Sequence, residues 1–263
     1  QAKLKNLKRK YFSGNVVLIS GGCGDIGLST AKSFYDEGAE VILLEKEQHH
    51  INNTPSNIKK FAKIIKCDVA NSKSLNKAII EVVKIYGGID ILVCNAGAPW
   101  QGEMASISKD VMQKSLDLNL LSHHHISQHA VKIFLKQKTG GLLLYNISKQ
   151  SVNPGKNFGP YGLPKTALLS LCKQYAVDYG SLGIRSNGVN ADRIRSGLLN
   201  DGMIKSRAKA REVSTDEYMR GNLLLNEVKA EDVAKAFFHL AVSKKTTGAV
   251  LTVDGGNIAA SLR

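Results

Sequence analysis

The sequence predicts an α/β fold in which a doubly wound parallel sheet of about seven strands lies between two layers of helices. Short apolar runs rich in β-branched residues alternate with longer stretches of helical spacing, a pattern typical of buried parallel strands and their connecting helices. With 263 residues, of which 43% are hydrophobic, the chain can bury a large core, and an open sheet of this size is commonly one domain. We therefore expect a single three-layer αβα domain over residues 1–263.

A glycine-rich loop follows the first predicted strand. Apolar residues at 16–19 predict a short buried strand, and apolar residues at helical spacing follow from Ile26. Gly22, Gly24 and Gly27 satisfy G-x-G-x-x-G in this strand–turn–helix context, where the motif is informative. Glycine lets the chain turn sharply and lets backbone N–H groups approach a pyrophosphate, which then faces the positive end of the helix dipole. The loop predicts a dinucleotide site, and a purely structural turn is the less favoured interpretation.

The second predicted strand, 39–44, ends in the carboxylate of Glu45. In dinucleotide-binding folds, an acid about twenty residues beyond the glycine loop bonds the ribose hydroxyls. Because a carboxylate there repels a 2′-phosphate, Glu45 favours NAD over NADP. Lys46 could offset part of that repulsion, and an ordinary exposed acid is the alternative interpretation of Glu45.

Two further predicted strands are followed by small or polar residues, which lie at the same edge of the predicted sheet. The third, 63–67, ends at Asp68 and Val69, and the fourth, 89–94, is followed by Asn95-Ala96-Gly97. Ligands of open parallel sheets bind outside the carboxyl ends of the strands. We expect Asp68 to bond the adenine amino group, although it could instead cap the helix that follows it.

A long helix at 108–136 and a fifth strand at 142–147 come next. The helix contains Asn119, and asparagine is neither a good helix former nor an easy core residue. The strand is ended by Ser148, which therefore also reaches the carboxyl edge. Asn119 and Ser148 are candidate site residues.

The next helix opens at Tyr161 after a polar loop, and Lys165 lies four residues further on the same helix face. A lysine ammonium beside a phenol favours the phenolate and lowers a phenol pKa that is otherwise about 10. Tyr161 would then serve as a general base for alcohol oxidation and as an acid for carbonyl reduction. Pro164 is compatible with this helix if it lies in the first turn, where no internal N–H bond is lost.

The last part of the chain contains a sixth strand at 184–190, a helix at 229–242 and a final strand at 249–253. The segment 191–227 between them is polar and basic and lacks strand character. We expect this segment to form a lid over a substrate.

Composition and charge disfavour several classes of protein. The net charge is +14, and residues 1–13 form a basic N-terminal segment, but aromatic residues are only 6% and are not interleaved with the basic ones. We therefore expect no nucleic-acid partner. No apolar run approaches the length of a membrane span, and no signal-peptide core is present, so we expect no membrane partner. The first residue is Gln1 rather than Met, which is compatible with a processed or trimmed chain or with the C-terminal part of a longer protein.

The cysteines and histidines do not predict a metal site. The four cysteines are dispersed without a C-x-x-C pair, which suits a reducing cytoplasm better than a zinc site or a disulfide framework. The run 123–125 consists of three histidines, but three consecutive residues of a helix point in different directions. We expect no metal and a cytoplasmic location.

Together these stretches resemble the short-chain dehydrogenase/reductase family over essentially the whole chain. The resemblance implies a Rossmann-like fold, hydride transfer between a nicotinamide dinucleotide and an alcohol/carbonyl pair, and assembly as a homodimer or homotetramer. The motifs that carry it, in this order, are Ser20-Gly21-x-x-Gly24-x-x-Gly27, Asp68-Val69, Asn95-Ala96-Gly97, Asn119, Ser148, Tyr161-x-x-x-Lys165 and Val253-Asp254-Gly255-Gly256.

The resemblance also implies roles for single residues. Tyr161 would exchange the proton, Ser148 would donate a hydrogen bond to the oxygen where charge develops, Lys165 would also hold the nicotinamide ribose, and Asn119 would carry a water that links Lys165 to solvent. A dinucleotide-binding sensor or scaffold without turnover is the alternative, although a pure binder needs no such proton relay. The positions expected to contact the cofactor are Ser20, Gly21, Gly22, Gly24, Asp25, Ile26, Gly27, Glu45, Asp68, Val69, Asn95, Ala96, Gly97, Tyr161, Lys165 and Ala191.

One departure from the family affects the catalytic serine. The fifth strand usually ends with two serines, of which the second is catalytic, but here Lys149 stands at that second position. Ser148 lies thirteen residues before Tyr161, a usual separation in the family, so we favour Ser148 over Ser151. In the alternative strand register, Lys149 faces the substrate.

Two other departures change the charge of the site. Asp25 takes the place of the middle glycine of the loop, and Ala191-Asp192 replaces a proline-glycine pair after the sixth strand. Asp192, Arg193 and Arg195 therefore place unusual charges beside the nicotinamide end. We hypothesise a small polyhydroxylated or acidic substrate with Arg193 or Arg195 as a clamp for a carboxylate or phosphate; solvation at the surface is the alternative.

The later stretches resemble a narrower group, the dehydrogenase half of bifunctional class II aldolase/dehydrogenase proteins. The stretches that carry this resemblance are 148–150, 153–155, 157–165 and 190–199. In that group an aldolase domain, often assigned to rhamnulose-1-phosphate, precedes the dehydrogenase, and lactaldehyde is the proposed substrate. The resemblance implies a covalently linked aldolase domain and a lactaldehyde-like substrate.

Overall fold

Seven parallel strands form one sheet in the computed structural model, which describes residues 10–197 and 199–258. The strand order is β3-β2-β1-β4-β5-β6-β7, and every neighbouring pair is parallel. This confirms the predicted doubly wound sheet. The strands are β1 Val16–Ser20, β2 Glu40–Glu45, β3 Ala62–Lys66, β4 Ile91–Cys94, β5 Gly141–Asn146, β6 Ile184–Ala191 and β7 Val250–Val253.

Helices connect the strands and cover both faces of the sheet. The long helix predicted at 108–136 consists of α5, a π-helical turn at Asp117–Leu121 and α6. The predicted lid carries two short helices, α8 and α9. The helices are α1 Asp25–Asp36, α2 Gln48–Asn53, α3 Ser56–Lys59, α4 Ser72–Tyr86, α5 Lys109–Leu116, α6 Ser122–Gln137, α7 Gly159–Tyr179, α8 Asp201–Lys209, α9 Thr215–Arg220 and α10 Ala230–Val242.

Two hydrophobic layers separate the sheet from its helices. On one face α4, α6 and α7 pack their apolar side chains on the sheet, and on the other face α1 and α10 do so. Leu18 and Ile42 point into the first layer, whereas Val17 and Val41 point into the second. The alternation follows from the two-residue period of a strand, and it explains why all five residues of β1 are buried.

The strand order reverses direction at β1. The chain runs from β1 outward to β2 and β3, and then returns to place β4 on the other side of β1. The loops after β1 and β4 therefore diverge and leave a crevice at the carboxyl edge. The fold places the glycine loop and the residues after β4 at this switch point.

Parts of some predictions lie outside the described residues. Of the basic segment 1–13, residues 1–9 lie outside, whereas Phe12 packs on the rings of Phe34 and Phe238. Leu198 of the predicted lid also lies outside. Within the described residues, no helix is both long and apolar enough to cross a bilayer, and no cluster of histidine, cysteine and acidic side chains could hold a metal ion.

Candidate active site

The loop between β1 and α1 combines glycines required by the fold with one that is not. A Cβ at Gly27 would lie 2.5 Å from the carbonyl oxygen of Gly21, and a Cβ at Gly22 would lie 2.6 Å from Cβ of Leu43. The packing of the protein itself therefore excludes side chains at both positions. At Gly24 a Cβ would meet no atom closer than 3.6 Å, so the fold alone does not demand glycine there.

Gly24 is also the N-cap of α1, and no side chain caps that end of the helix. The first N–H groups of a helix lack partners within the helix, and together with the dipole they favour an anion. Exposed Asp25 and half-buried Ile26 open the helix, and Ile26 also lines the cleft described below. An uncapped helix start without a side chain at its cap fits the pyrophosphate of a dinucleotide.

Ser20 and Asn95 join the loops around this helix start. Ser20 Oγ accepts hydrogen bonds from the backbone N–H groups of Asn95 at 3.0 Å and Ala96 at 3.2 Å. The Asn95 side chain donates to the carbonyl of Gly21 at 3.0 Å and accepts from Asn146 Nδ2 at 2.9 Å. Because Ser20 is only 1% exposed, its side chain supports the crevice from within rather than facing a ligand.

Glu45 ends β2 with a buried, fixed carboxylate. Its Oε1 accepts the backbone N–H groups of Lys46 at 2.9 Å and Glu47 at 3.1 Å, and His50 Nδ1 lies 3.5 Å from the same oxygen. An ordinary exposed loop acid does not fit this position. The structure places Glu45 at the carboxyl edge of β2, as the sequence predicts.

The other predicted acid, Asp68, does not cap the helix that follows it. Asn71 is the N-cap of α4, since its Oδ1 accepts from the backbone N–H of Ser74 at 2.9 Å. Asp68 Oδ1 instead accepts from Ala70 N at 3.0 Å, and its Oδ2 lies 3.1 Å from Lys46 Nζ. The capping interpretation of Asp68 is wrong, and the charge of Lys46 is directed to Asp68. Val69 beside it is buried.

Asn119 lies in the π-helical turn and is fully buried. Its Nδ2 donates to the carbonyl of Ala98 and to Ser115 Oγ, both at 3.0 Å, while its Oδ1 accepts from Ala98 N at 3.1 Å. These bonds tie the helix to the loop after β4. A Cβ at Gly97 would lie 3.0 Å from Asn119 Oδ1 and 3.9 Å from Lys165 Nζ, so glycine keeps the space beside both groups open.

Pro164 lies in the second turn of α7, because the helix begins at Gly159 rather than at Tyr161. The expectation that no backbone hydrogen bond is lost is therefore wrong. A residue at 164 would donate its N–H to the carbonyl of Pro160, which proline cannot do. Ser115 Oγ supplies the missing donor at 2.6 Å. The carbonyl of Pro160, in the helix that carries Tyr161, thus accepts a hydrogen bond from a side chain of α5 instead.

The structure brings Tyr161, Lys165 and Ser148 together. Lys165 is 2% exposed and donates to the carbonyl of Asn146 at 2.8 Å, with its Nζ 5.7 Å from the centre of the Tyr161 ring. Burial lowers the pKa of Lys165 to about 7. Burial also raises the pKa of Tyr161 to about 12, an effect that the hydroxyl of Ser148 partly offsets. The expected lowering of the Tyr161 pKa by the amine is absent in the protein by itself, because desolvation dominates.

Ser148 and Lys149 both line the cleft that contains Tyr161, which we call the Tyr161 cleft. The sequence left open whether Ser148 or Lys149 faces the substrate, and this arrangement is compatible with both. Ser151 is buried, and its hydroxyl donates to the carbonyl of Ser148 at 2.7 Å. Ser151 supports the turn, while the Ser148 hydroxyl is the one beside the phenol.

Ala191, Asp192 and Arg193 also line the Tyr161 cleft. Asp192 Oδ2 lies 3.5 Å from Arg193 Nε and 3.7 Å from Lys149 Nζ. Arg193 has a positive φ of 48°, and its guanidinium donates to the carbonyl of Tyr218 at 2.5 Å. Arg193 therefore joins β6 to the lid in addition to facing the cleft.

Arg195 lies outside the Tyr161 cleft. Its Nε bonds Glu227 Oε1 at 2.8 Å, and its other end bonds Asp201 Oδ1 at 3.3 Å. The side chain is 46% exposed. The hypothesis of a substrate clamp at Arg195 does not fit this placement.

Two lid arginines that line the Tyr161 cleft were not identified from the sequence. Arg207 and Arg211 line the cleft together with Phe158 and Tyr218. The guanidinium carbon of Arg207 lies 4.1 Å from the centre of the Phe158 ring, and that of Arg211 lies 5.1 Å from the Tyr218 ring. The sequence feature that could have identified them is their four-residue spacing, which places both arginines on one side of α8 and of the turn that follows it.

His123 lies beneath the site with no exposed surface. Neither ring nitrogen makes a hydrogen bond of good geometry among the described residues, although the backbone of Ala96 lies close enough to favour the charged ring. Burial and the charge of Lys165 lower its pKa well below the ordinary value, so the ring is neutral. His124 differs, since its Nδ1 lies 3.1 Å from the hydroxyl of Tyr175. His123 and His124 therefore have different surroundings.

Comparisons with known proteins find a family model and several relatives. A family model described as enoyl-(acyl carrier protein) reductase matches residues 23–257. Short-chain dehydrogenase reductase 3a of Arabidopsis thaliana is 29% identical over 249 residues, covering 92% of this chain and 95% of that protein. The solved structure of an aldohexose dehydrogenase from Thermoplasma acidophilum is 27% identical, has a TM-score of 0.81 and covers 95% of each chain.

A longer relative also matches. The uncharacterized oxidoreductase YuxG of Bacillus subtilis is 32% identical over 267 residues, covering 96% of this chain but 38% of that protein. The chain therefore spans less than half the length of this relative, whereas it spans nearly the whole of the plant relative. From its fold, its site and the match over residues 23–257, the chain belongs to the short-chain dehydrogenase/reductase family of oxidoreductases, which bind a nicotinamide dinucleotide.

Proposed function

We propose that this protein is an NAD-dependent dehydrogenase/reductase that interconverts an alcohol and a carbonyl on a small hydroxylated or sugar-derived substrate. The observation that carries the proposal is that Ser148 and Tyr161 line one cleft at the carboxyl edge of the sheet, with the buried amine of Lys165 beside the Tyr161 ring. Ile26 from the glycine loop lines the same cleft, so a dinucleotide held at the helix start could reach the phenol. When bound, the nicotinamide supplies or accepts the hydride.

The side chains of this protein handle the proton and the charge. A Tyr161 phenol with a raised pKa is protonated at neutral pH and can donate its proton to the oxygen of a carbonyl that is being reduced. In the oxidative direction it must lose that proton first, and a charged Lys165 favours the phenolate. Ser148 stabilises the oxygen on which negative charge develops.

The preference for NAD over NADP rests on Glu45. Its buried carboxylate is fixed at the end of β2 by two backbone N–H groups, and it would repel a 2′-phosphate. The cation that could offset this repulsion, Lys46, lies 3.1 Å from Asp68 instead.

The substrate class rests on the lining of the cleft and on similarity. Many of the side chains that line the cleft are charged or polar, which suits a hydroxylated molecule better than a long apolar chain. The aldohexose dehydrogenase that resembles this chain acts, by its name, on a sugar. Lactaldehyde is the first substrate to test, as the resemblance to aldolase-linked dehydrogenases implies.

A direct test is the absorbance change of NADH on a panel of lactaldehyde, aldoses, sugar alcohols, hydroxy acids and their phosphates, with NAD and NADP compared at equal concentration. We expect turnover with NAD, a smaller rate with NADP, and no turnover in Tyr161→Phe. Tight NADH binding without turnover on any member of the panel would favour the alternative of a sensor or scaffold.

The proposal also includes the oligomeric state of the protein, a linked domain and its location. Leu121, Leu163 and Val177 expose apolar side chains on the helices that flank the site, which favours a homodimer or homotetramer through these helices. The partial coverage of the longer relative leaves room for a linked domain, for which an aldolase is our candidate. We propose a cytoplasmic protein without a nucleic-acid or membrane partner. Light scattering of the purified protein tests the assembly.

A further inference from the structure

The side chains that line the Tyr161 cleft carry more positive charge than the one carboxylate among them can balance. Four basic side chains line the described part of the cleft, namely Lys149, Arg193, Arg207 and Arg211, together with one acid, Asp192. Asp192 Oδ2 already faces Arg193 and Lys149 and also accepts from Asn257. One carboxylate therefore serves two cations, and two more cations remain.

The described hydrogen-bond and ring partners of Arg207 and Arg211 are all neutral groups. Arg207 donates to the hydroxyl of Tyr218 at 3.0 Å and to the side-chain oxygen of Gln101 at 3.1 Å, and its guanidinium stacks on an aromatic ring. Arg211 lies over the Tyr218 ring. Across residues 10–197 and 199–258, no carboxylate lies within salt-bridge distance of either arginine.

Arg207 is the better fixed of the two. Its contacts hold the lid helix α8 against Tyr218 and the loop that carries Gln101, which makes it a positioning residue. The guanidinium of Arg211 has no hydrogen bond within the described residues, although it faces the cleft. The Arg211 guanidinium is therefore available to bind a ligand.

Lys149 is the cation next to the reacting centre. It follows Ser148 directly, its side chain is 12% exposed, and it makes no hydrogen bond through Nζ among the described residues. Burial lowers the pKa of Lys149, and the charges of Arg193 and Arg211 lower it further, while Asp192 and Asp254 oppose the shift. Both oxygens of Asp254 are bonded to backbone N–H groups, so this acid is not a free partner. Asp192 lies 3.7 Å from Lys149 Nζ but also faces Arg193, so this largely buried ammonium shares one carboxylate, and a second anion beside it would stabilise its charge.

We propose that the substrate carries an anionic group, a carboxylate or a phosphate monoester, which binds between Lys149 and Arg211 in the Tyr161 cleft. The inference rests on the proposed dehydrogenase function and narrows its substrate to hydroxy acids or phosphorylated hydroxy compounds. Lys149 neutralises the end of the anion nearest Ser148, and Arg211 binds it from the lid side with a planar fork. The remaining hydroxyl or carbonyl of the substrate then meets Tyr161.

The test uses matched pairs that differ in charge. Calorimetry measures binding of lactate against lactamide and of glycerol phosphate against glycerol, to the protein alone and to the protein saturated with NADH. We expect the anion of at least one pair to bind about tenfold more tightly or better than its neutral analogue. Preference in the lactate pair alone identifies a carboxylate, and preference in the glycerol pair alone identifies a phosphate.

Variants assign the preference to residues. Arg211→Gln and Lys149→Met should each remove most of the charge preference, whereas Lys205→Gln, which changes an exposed cation on α8 that does not line the cleft, should leave it unchanged. Circular dichroism and the unfolding midpoint establish that each variant is folded; Arg211 is exposed, so its replacement leaves the core intact.

The outcomes separate the two proposals. Equal affinity within both pairs, absence of binding by either anion, or a preference that survives both cleft variants would overturn the anion site. Failure of NADH to bind would overturn the dehydrogenase function itself. Turnover of neutral alcohols with NAD, without any anion preference, would keep the function and reject the inference.

Discussion

Ser115 Oγ donates a 2.6 Å hydrogen bond to the carbonyl of Pro160, the carbonyl that Pro164 cannot reach from within its own helix. The same hydroxyl accepts from Asn119 Nδ2 at 3.0 Å. One buried serine therefore connects the π-helical turn to the helix start that carries Tyr161. Its loss would leave both an amide hydrogen and a carbonyl without a partner.

Ser115→Ala should lower the free energy of unfolding by about 1–3 kcal/mol and also reduce kcat, because the Tyr161 helix loses its anchor. Ser122→Ala is the matched control, since Ser122 is equally buried and donates to a backbone carbonyl at 2.7 Å but does not contact Asn119. We expect a similar loss of stability there with unchanged kcat. Equal kcat in both variants would show that Ser115 is structural only.

Gly24→Ala and Gly27→Ala should separate ligand binding from folding. A Cβ at Gly24 has room in the protein, so the unfolding midpoint should hardly change while NADH affinity falls about tenfold or more. A Cβ at Gly27 would collide with a carbonyl at 2.5 Å, so that variant should lose stability. NADH fluorescence titration and thermal unfolding measure the two effects. Unchanged NADH affinity in Gly24→Ala would argue against the pyrophosphate position.

Tyr161→Phe should lower kcat about 10²–10⁴-fold with NADH affinity retained, because the ring remains and only the proton-transfer group is removed. Steady-state kinetics and fluorescence titration on the same preparation measure both. Tyr35→Phe serves as the control, since that phenol lies on the exposed side of α1. A Tyr161→Phe protein with near-normal turnover would contradict the assigned role.

The buried amine of Lys165 predicts that stability depends on pH. Its pKa is about 7 in the folded protein and about 10.5 in the unfolded chain, so between these values the unfolded state binds more protons. Stability should therefore rise from pH 7 to pH 8.5, by at most about 1.4 kcal/mol per pH unit from this group. Urea unfolding at several pH values measures the slope, and Lys165→Met should reduce it. A slope of the opposite sign, or one that Lys165→Met leaves unchanged, would be inconsistent with a neutral buried amine.

His123→Leu should stabilise the protein by about 1 kcal/mol, since the change replaces two buried ring nitrogens without well-formed hydrogen bonds by apolar atoms of similar volume. The difference from the wild type should widen as the pH falls below about 6.5, because histidine then protonates in the unfolded chain but not in the fold. Thermal unfolding at pH 5 and pH 8 measures both effects. Destabilisation at pH 5 would contradict this account of His123.

Much of the site could be predicted because its signals are local. The loop glycines, Glu45 at the end of β2, and Tyr161 with Lys165 one helical turn later all occur at spacings fixed by the periods of strand and helix. The glycines follow a strand, Glu45 ends one and Tyr161 lies in the first turn of α7, so the order of elements places them at one edge of the sheet. Their positions follow from the chain order once the sheet is parallel.

Other features needed the folded chain. The expectation for Pro164 was wrong because a helix boundary five residues away from it decides which carbonyl loses its donor. Likewise, Arg195 lies outside the cleft, while Arg207 and Arg211 lie inside it, and no short-range period distinguishes these arginines. Asp68 and Asn71 compete for one helix cap, and only the observed hydrogen bonds decide between them.

The sequence by itself determined the doubly wound sheet and the residues at its carboxyl edge, because alternating strands and helices with short-range motifs allow few other arrangements. The tertiary structure alone decided how the lid cations face the phenol, how Ser115 replaces a lost backbone donor, and how burial shifts the pKa values of Tyr161 and Lys165. These properties depend on contacts between residues far apart in the chain and on the exclusion of water, neither of which has a periodic signature in a sequence.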